Sequence, residues 1–222
     1  MLDIFDILGP VMVGPSSSHT AGAVRIGRMA RTLLGDQPVK AEIGLYGSFA
    51  ETGPGHGTDR ALIAGLLGMS PDNMDIPHSF EIAAEQGLKF SFHTVRLRDA
   101  HPNTAVITAE NAEGKQIVLQ AASTGGGRIR VDRLNGVDVN FTGEFNTLIV
   151  RHQDVAGMMA DITRELADVR INIANMSLCR DRRGGDALTV IETDQKVPPV
   201  ARILIGELRG VKRITYYERE GD

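Results

Sequence analysis

Thr147-Leu148-Ile149-Val150-Arg151-His152 is a mostly apolar run of strand length, and a stretch with a different period begins directly after it at Gly157. Met158, Ile162, Leu166 and Val169 recur every three or four residues, so 157–168 reads as a helix with one apolar stripe. Ile171–Arg180 then reads as a strand, Arg182–Gly185 as a polar turn and Asp186–Glu192 as a strand. Pro198 sits at a helix start, Val200, Ile203, Leu204 and Leu208 form its stripe, and Gly210 ends it before a last strand, Val211–Tyr217. The order β-α-β-β-α-β predicts a ferredoxin-like unit over 146–222. A unit this small exposes a sheet edge or face, which favours pairing with another copy.

Upstream, helices and strands mix, and the predicted class is α+β with a first domain over 1–143. Leu2–Leu8 reads as a short opening helix, and a second helix runs from Ser18 or His19 to about Leu34. Gly22, Ala23, Gly27 and Ala30 give that helix a small-residue side suited to close packing, and Gly35 is its stop. Val39–Tyr46 alternates as a strand, and a glycine-rich loop leads to a helix over 58–67. Phe80–Gln86 reads as helix and Phe90–Leu97 as strand. Thr104–Ala109 and Lys115–Ala122 form a hairpin about Asn111-Ala112-Glu113-Gly114, and Arg128–Leu134 and Val137–Phe141 form another about Asn135-Gly136.

Composition narrows the function classes. Hydrophobic residues make up 42% of the 222, normal for a globular protein, and a net charge of -4 argues against non-specific nucleic-acid binding. No apolar run approaches a membrane span, and the acidic start Met1-Leu2-Asp3-Ile4-Phe5-Asp6 is unlike a signal peptide, which predicts a cytoplasmic protein. The single cysteine, Cys179, excludes an internal disulfide and any thiolate-held cluster or structural zinc built from one copy.

Three polar, glycine-bearing stretches read as ligand loops. In Gly14-Pro15-Ser16-Ser17-Ser18-His19-Thr20 a serine is a natural helix cap. An imidazole near a helix N-terminus stays neutral and so retains a lone pair for a proton. Gly53-Pro54-Gly55-His56-Gly57-Thr58-Asp59 lacks the spacing of a nucleotide loop; a flexible connection with a solvated His56 is the plain alternative. Ser123-Thr124-Gly125-Gly126-Gly127 offers backbone N–H groups for a carboxylate. His101-Pro102-Asn103 is a fourth element, in which Pro102 fixes the entry of the chain. His78 and His93 read as structural or surface residues.

The stretch 14–22, together with Gly47-Ser48-Phe49-Ala50-Glu51-Thr52, Gly55-His56-Gly57-Thr58-Asp59, His101-Pro102-Asn103-Thr104-Ala105 and Ser123-x-Gly125-Gly126-Gly127, resembles the β subunit of bacterial iron–sulfur L-serine dehydratase. Thr124 departs from the aliphatic residue usual there. From Asn146 the chain resembles an ACT domain, a small-molecule sensor, and the first domain resembles the allosteric-substrate-binding type. The resemblance implies conversion of L-serine to pyruvate and ammonia, with a [4Fe-4S] cluster held by cysteines of a partner α subunit and acting as the Lewis acid for the departing hydroxide. It implies that His56 or His19 takes the Cα proton while the other orients or relays. His101, Ser16, Ser17 and Ser18 would complete a polar wall. Thr20, Thr58, Asp59, Asn103, Ser123, Gly125, Gly126 and Gly127 would contact substrate. In the ACT part it implies an L-serine site at His152, Asp154, Gly157 and Asn172, and self-association. No lysine stands in a pyridoxal-phosphate context. A purely regulatory serine-sensing subunit and a free-standing amino-acid-binding or scaffold protein fit the same residues; a thiolate-rich partner discriminates the enzyme subunit from both.

Overall fold

The computed structural model describes Met12 and residues 16–219, in two compact units, residues 1–136 and 137–222. The expected opening helix over 2–8, and Gly14 and Pro15 of the first motif, lie outside the described residues.

In the first unit a π-helical turn, Ser17–Gly22, runs straight into helix α1, Ala23–Leu34. Gly35 ends α1 with φ 84°, the left-handed stop expected of it. Strand β1 (Pro38–Tyr46) is followed by α2 (Ser48–His56), α3 (Thr58–Leu66), a 3-10 turn at Ile76–His78 and α4 (Ser79–Glu85). Strands β2 (Lys89–Thr94), β3 (Thr104–Asn111), β4 (Gln116–Gly125) and β5 (Arg128–Leu134) come next, and β6 (Val137–Phe141) opens the second unit. Within this unit the sheet order is β2-β1-β3-β4-β5. β1 is parallel to β2 and antiparallel to β3, and a parallel neighbour needs a long crossover, which α2 to α4 supply.

The small-residue side of α1 does what its composition predicts. A Cβ added at Gly27 would lie 2.3 Å from Leu62 O, and one at Gly65 would lie 2.1 Å from Val24 O. α1 and α3 therefore cross backbone to backbone. The opposite apolar positions of α1, including Ile26, Met29 and Leu33, are buried in the unit's core with Ile43 of β1, Ile107 of β3 and Leu119 of β4.

Two expectations change here. The glycine-rich connection after β1 is mostly helix: Ala50 N–H and Glu51 N–H both donate to Gly47 O at 3.0 Å, starting a turn at once. The helix persists to His56, and only Gly57, at φ 71°, breaks it from α3. The strand expected over 90–97 ends at Thr94, the residue paired with Leu45 near the end of β1, because further on there is little β1 edge left to pair with.

The second unit holds β7 (Asn146–Gln153), α5 (Met158–Asp168), β8 (Ile173–Arg180), β9 (Asp186–Thr193), α6 (Pro199–Glu207) and β10 (Val211–Tyr217). Its antiparallel sheet runs β10-β7-β9-β8, the ferredoxin-like arrangement that the alternation of periods predicts. Leu148, Val150 and Ile191 of the sheet meet Met158, Ile162 and Leu166 of α5 and Ala201 and Ile205 of α6 in one core.

Candidate functional site

Sheet register gathers the motifs of the first unit. Tyr46 at the end of β1 pairs with Thr104 at the start of β3, and Thr104 pairs with Ala122 near the end of β4. The segments 47–52, 101–104 and 122–127 therefore share one end of the sheet. The N–H of Ser123 donates to Asn103 O at 2.9 Å. Gly47 lies so close to Pro102 that an added Cβ would sit 2.7 Å from Pro102 O. The turn 17–22 reaches the same end, since a Cβ on Gly22 would fall 2.1 Å from Ser123 Oγ.

His19 stands in the middle of this arrangement, half-buried. Ser16 caps the turn, its Oγ accepting from His19 N–H at 3.2 Å, and the same Oγ lies 3.4 Å from His19 Nδ1. On the other side of the ring Nε2 lies 3.1 Å from Ser48 Oγ and 3.2 Å from Thr52 Oγ1. Ser48 and Thr52 are four apart on α2, hence on one helix face. The buried ring of Phe49 meets His19 edge-on at 5.4 Å, and His56 faces it at 5.1 Å between centroids. Burial, and then the facing His56, push His19 below the ordinary histidine value, while hydrogen bonding at Ser48 pulls it up. A half-buried imidazole kept neutral in this way can accept a proton. π-helical turns are frequent at functional sites, and this one carries the histidine.

Other expected residues have settled places. His101 Nδ1 accepts from Asn103 N–H at 3.1 Å, which leaves Nε2 as the proton-bearing nitrogen of the neutral ring. Asp59 Oδ1 accepts from Arg60 N–H at 2.8 Å at the start of α3. Thr20, Thr58 and Ser123 are buried, and among the described residues their hydroxyls are polar atoms without a hydrogen-bond partner. Ser17 and Ser18 are half-buried in the turn.

The stretch 123–127, expected as a ligand loop, is a tight hairpin turn. β4 ends at Gly125 and β5 begins at Arg128, so Gly126 and Gly127 form a two-residue loop at φ 60° and 76°. That is the primed turn that the twist of paired strands favours, and glycine takes it without a Cβ clash. Gly127 O accepts from Arg25 at 3.0 Å, fixing the turn to α1. Ser48, Thr52 and Arg25 were not among the expected site residues. The signal for the first two was in their spacing, since a serine and a threonine four apart present two hydroxyls on one helix face.

In the second unit His152 is buried, with Nδ1 donating to Gln153 O and Nε2 against Thr189 Oγ1, both at 2.8 Å. Asp154 accepts from Gly184 N–H at 3.0 Å and Arg180 at 2.8 Å; these bonds, Gly184 first, hold its carboxyl below the usual range. Gly157 caps α5 at φ 91°. Asn172 lies elsewhere: its Nδ2 donates to Asp194 at 2.6 Å, beside the pair Ile173–Thr193, whereas His152 pairs with Ala187. Within one copy the two sets are roughly 20 Å apart at 3.3 Å per strand residue.

The donor set does not fit an iron–sulfur cluster. The chain has one cysteine, Cys179 on β8, and among the described residues no three His, Cys, Asp or Glu side chains are grouped to hold a metal ion. No helix of the described residues is long and apolar enough to cross a membrane.

Comparison with known proteins agrees with the motifs. The family model described as serine dehydratase beta chain matches residues 1–89, and the ACT domain model matches 146–202. A probable L-serine dehydratase, beta chain, of Bacillus subtilis (strain 168) is 43% identical over 194 residues, covering 87% of this chain and 88% of that protein. The L-serine dehydratase, beta chain, of Peptoniphilus asaccharolyticus is 35% identical over 212 residues, covering 95% and 94%. An L-serine dehydratase of Streptomyces coelicolor is 30% identical over 154 residues, 59% of this chain but only 34% of that longer protein. With a ferredoxin-like second unit carrying the ACT match and two relatives similar over nearly their whole length, the chain belongs to the serine dehydratase beta chain family.

Proposed function

We propose that this chain is the β subunit of an L-serine ammonia-lyase that converts L-serine to pyruvate and ammonia together with a partner α subunit. The observation that carries this is the convergence of four separate motifs on one sheet end around a neutral, hydroxyl-held His19 facing His56. Removing the Cα proton of an amino acid needs a base that is unprotonated at working pH and within reach of substrate, which for an imidazole means the neutral ring. His19 or His56 takes that proton and the other orients or relays. His101 and the serines at 16, 17 and 18 complete the polar wall, and Thr20, Thr58, Asp59, Asn103 and the 123–127 turn border the substrate.

A [4Fe-4S] cluster belongs to the partner α subunit in this proposal, because this chain lacks the thiolates to hold one. The limited coverage of the longer Streptomyces coelicolor relative supports a division of one enzyme between two chains. Residues 1–143 form the domain that joins the partner, and 146–222 form an ACT domain that binds L-serine and self-associates. Since Asn172 sits at the far end of the sheet from His152, Asp154 and Gly157, one ligand touches both sets only across two copies. Catalysis takes place in the cytoplasm, without nucleic acid or membrane.

Anaerobic co-expression with a cysteine-rich partner tests the proposal. A brown complex that releases pyruvate from L-serine is expected, and His19→Ala or His56→Ala lowers its turnover by about 10²–10⁴-fold, the usual cost of losing a general base. Turnover near wild type in both variants overturns the assignment of the base. A colourless, inactive complex that binds L-serine leaves only a regulatory subunit.

A further inference from the structure

We propose that Ser48 and Thr52 are positioning residues that fix the tautomer of His19, placing its proton on Nε2 and leaving Nδ1 as the nitrogen that accepts a proton. The catalytic half of this statement rests on the acid–base role given to His19 above; the tautomer itself does not.

The argument is an accounting of protons. A threonine hydroxyl has one proton to give and two lone pairs. Thr52 Oγ1 donates its proton to Ser48 O at 2.8 Å, the carbonyl one helical turn earlier. Toward His19 Nε2, 3.2 Å away, Thr52 can therefore only accept. Two lone pairs facing each other would repel, so Nε2 carries hydrogen and shares it between Thr52 Oγ1 and Ser48 Oγ at 3.1 Å. Ser48 then turns its own proton toward Thr52 Oγ1, 3.3 Å away, and every hydroxyl proton in the group has one destination.

The opposite edge of the ring completes the assignment. Ser16 Oγ already accepts from His19 N–H, so its hydrogen is free to point at Nδ1, 3.4 Å off. A neutral ring with hydrogen on Nε2 offers a lone pair there. Phe49 against the ring edge and His56 against its face restrict the ring further. In the reaction proposed above, the Ser16 hydrogen turns off Nδ1, the substrate Cα–H bond breaks, its electron pair stays on carbon, and the proton forms a bond to the freed Nδ1 lone pair. The imidazolium keeps its Nε2–H on Ser48 and Thr52 throughout, so nothing on that side has to rearrange.

Long-range proton–nitrogen correlation spectra of the full chain with ¹⁵N-labelled histidine read the tautomer directly, without a partner or substrate. For His19, hydrogen on Nε2 and a lone pair on Nδ1 are expected. Thr52→Val combined with Ser48→Ala should raise the Nδ1–H share several-fold at an unchanged melting midpoint, and Thr52→Ser should restore the wild-type pattern. In the assembled enzyme the double variant should lower kcat more than it alters KM. A wild-type spectrum with hydrogen on Nδ1, or a double variant with the wild-type pattern, overturns the proposal. If the tautomer behaves as stated while His19→Ala keeps full turnover, the acid–base role of His19 fails and the tautomer assignment stands.

Discussion

Gly65→Ala is the change to which the first unit should be most sensitive. The new Cβ would lie 2.1 Å from Val24 O, 2.8 Å from Arg28 N and 2.9 Å from Gly27 Cα. All three are backbone atoms of α1, so no side-chain rotation relieves the overlap, and ordinary contact requires α1 and α3 to separate by roughly an ångström. Alanine is better than glycine inside a helix by about 1 kcal/mol, which works in favour of the variant. Overpacking a tight interface costs about 1–3 kcal/mol and more where backbone must move. With the full overlap directed at backbone, the upper end applies and a net loss of about 2 kcal/mol remains. At about 2–4 °C per kcal/mol for a chain of this size, the thermal midpoint should fall by roughly 4–8 °C. Gly206→Ala is the contrast: it lies inside α6, and its nearest neighbour would be Ile214 Cδ1 at an ordinary 3.6 Å. There only the propensity gain operates, and the midpoint should hold or rise. Circular dichroism melts of both variants beside the wild type decide the matter. A Gly65→Ala protein as stable as wild type would refute the backbone-to-backbone crossing of α1 and α3.

Four further outcomes are expected. His19 titrates below the ordinary histidine value, so as pH falls the unfolded chain takes up the proton first; stability is present above about 6.5 and is lost as pH drops through that value toward the folded one. A ring-resonance titration should show that His56→Gln raises the His19 value without restoring it fully, because burial is the larger cause, and an unmoved or fully normal value would contradict this. His152→Leu leaves Thr189 Oγ1 with only the weak Met159 Sδ contact inside the second unit and should cost about 1–3 kcal/mol in urea unfolding, with Thr189→Val in the same background recovering part of it. Asp154→Asn weakens the bonds to Gly184 and Arg180, so amide exchange at Gly184 should quicken while the core of α5 stays protected; equal protection at Gly184 would show that the carboxylate does not hold the turn.

The elements of the second unit were legible nearly from end to end, but the inward face of α6 was not: Val200, Ile203 and Leu204, expected as its stripe, are exposed, and Ala201 and Ile205 are the residues that reach the core. Strand and helix periods differ clearly there, and the helix around Met158, Ile162 and Leu166 follows from a stripe visible in the chain. Asn135-Gly136 likewise announced its turn, both residues having φ above zero. The first unit was less transparent for reasons of range. The parallel pairing of β1 with β2 joins residues nearly fifty apart, and no local pattern encodes such a register. Gly53-Pro54-Gly55 reads as a break, yet the turn started at Gly47 carries helix through it to His56. The motifs pointed to His19 and His56 and contained Ser48 and Thr52, but gave these two hydroxyls, 29 and 33 residues beyond His19, no role in holding it. The glycines at 125–127 read either as positive-φ positions or as a close backbone approach to a ligand, and all three have φ above zero, as the hairpin turn requires.

The π-helical turn at Ser17–Gly22 amounts to one residue more than a regular helix would hold over the same rise. Each helical residue advances the azimuth by about 100°. Continuous with α1, the extra residue therefore acts as a phase shift: the histidine end and the core-packing end of a single rod are indexed independently. A one-residue deletion in 17–22 would turn the imidazole away from α2 while the remainder of the rod keeps its seat.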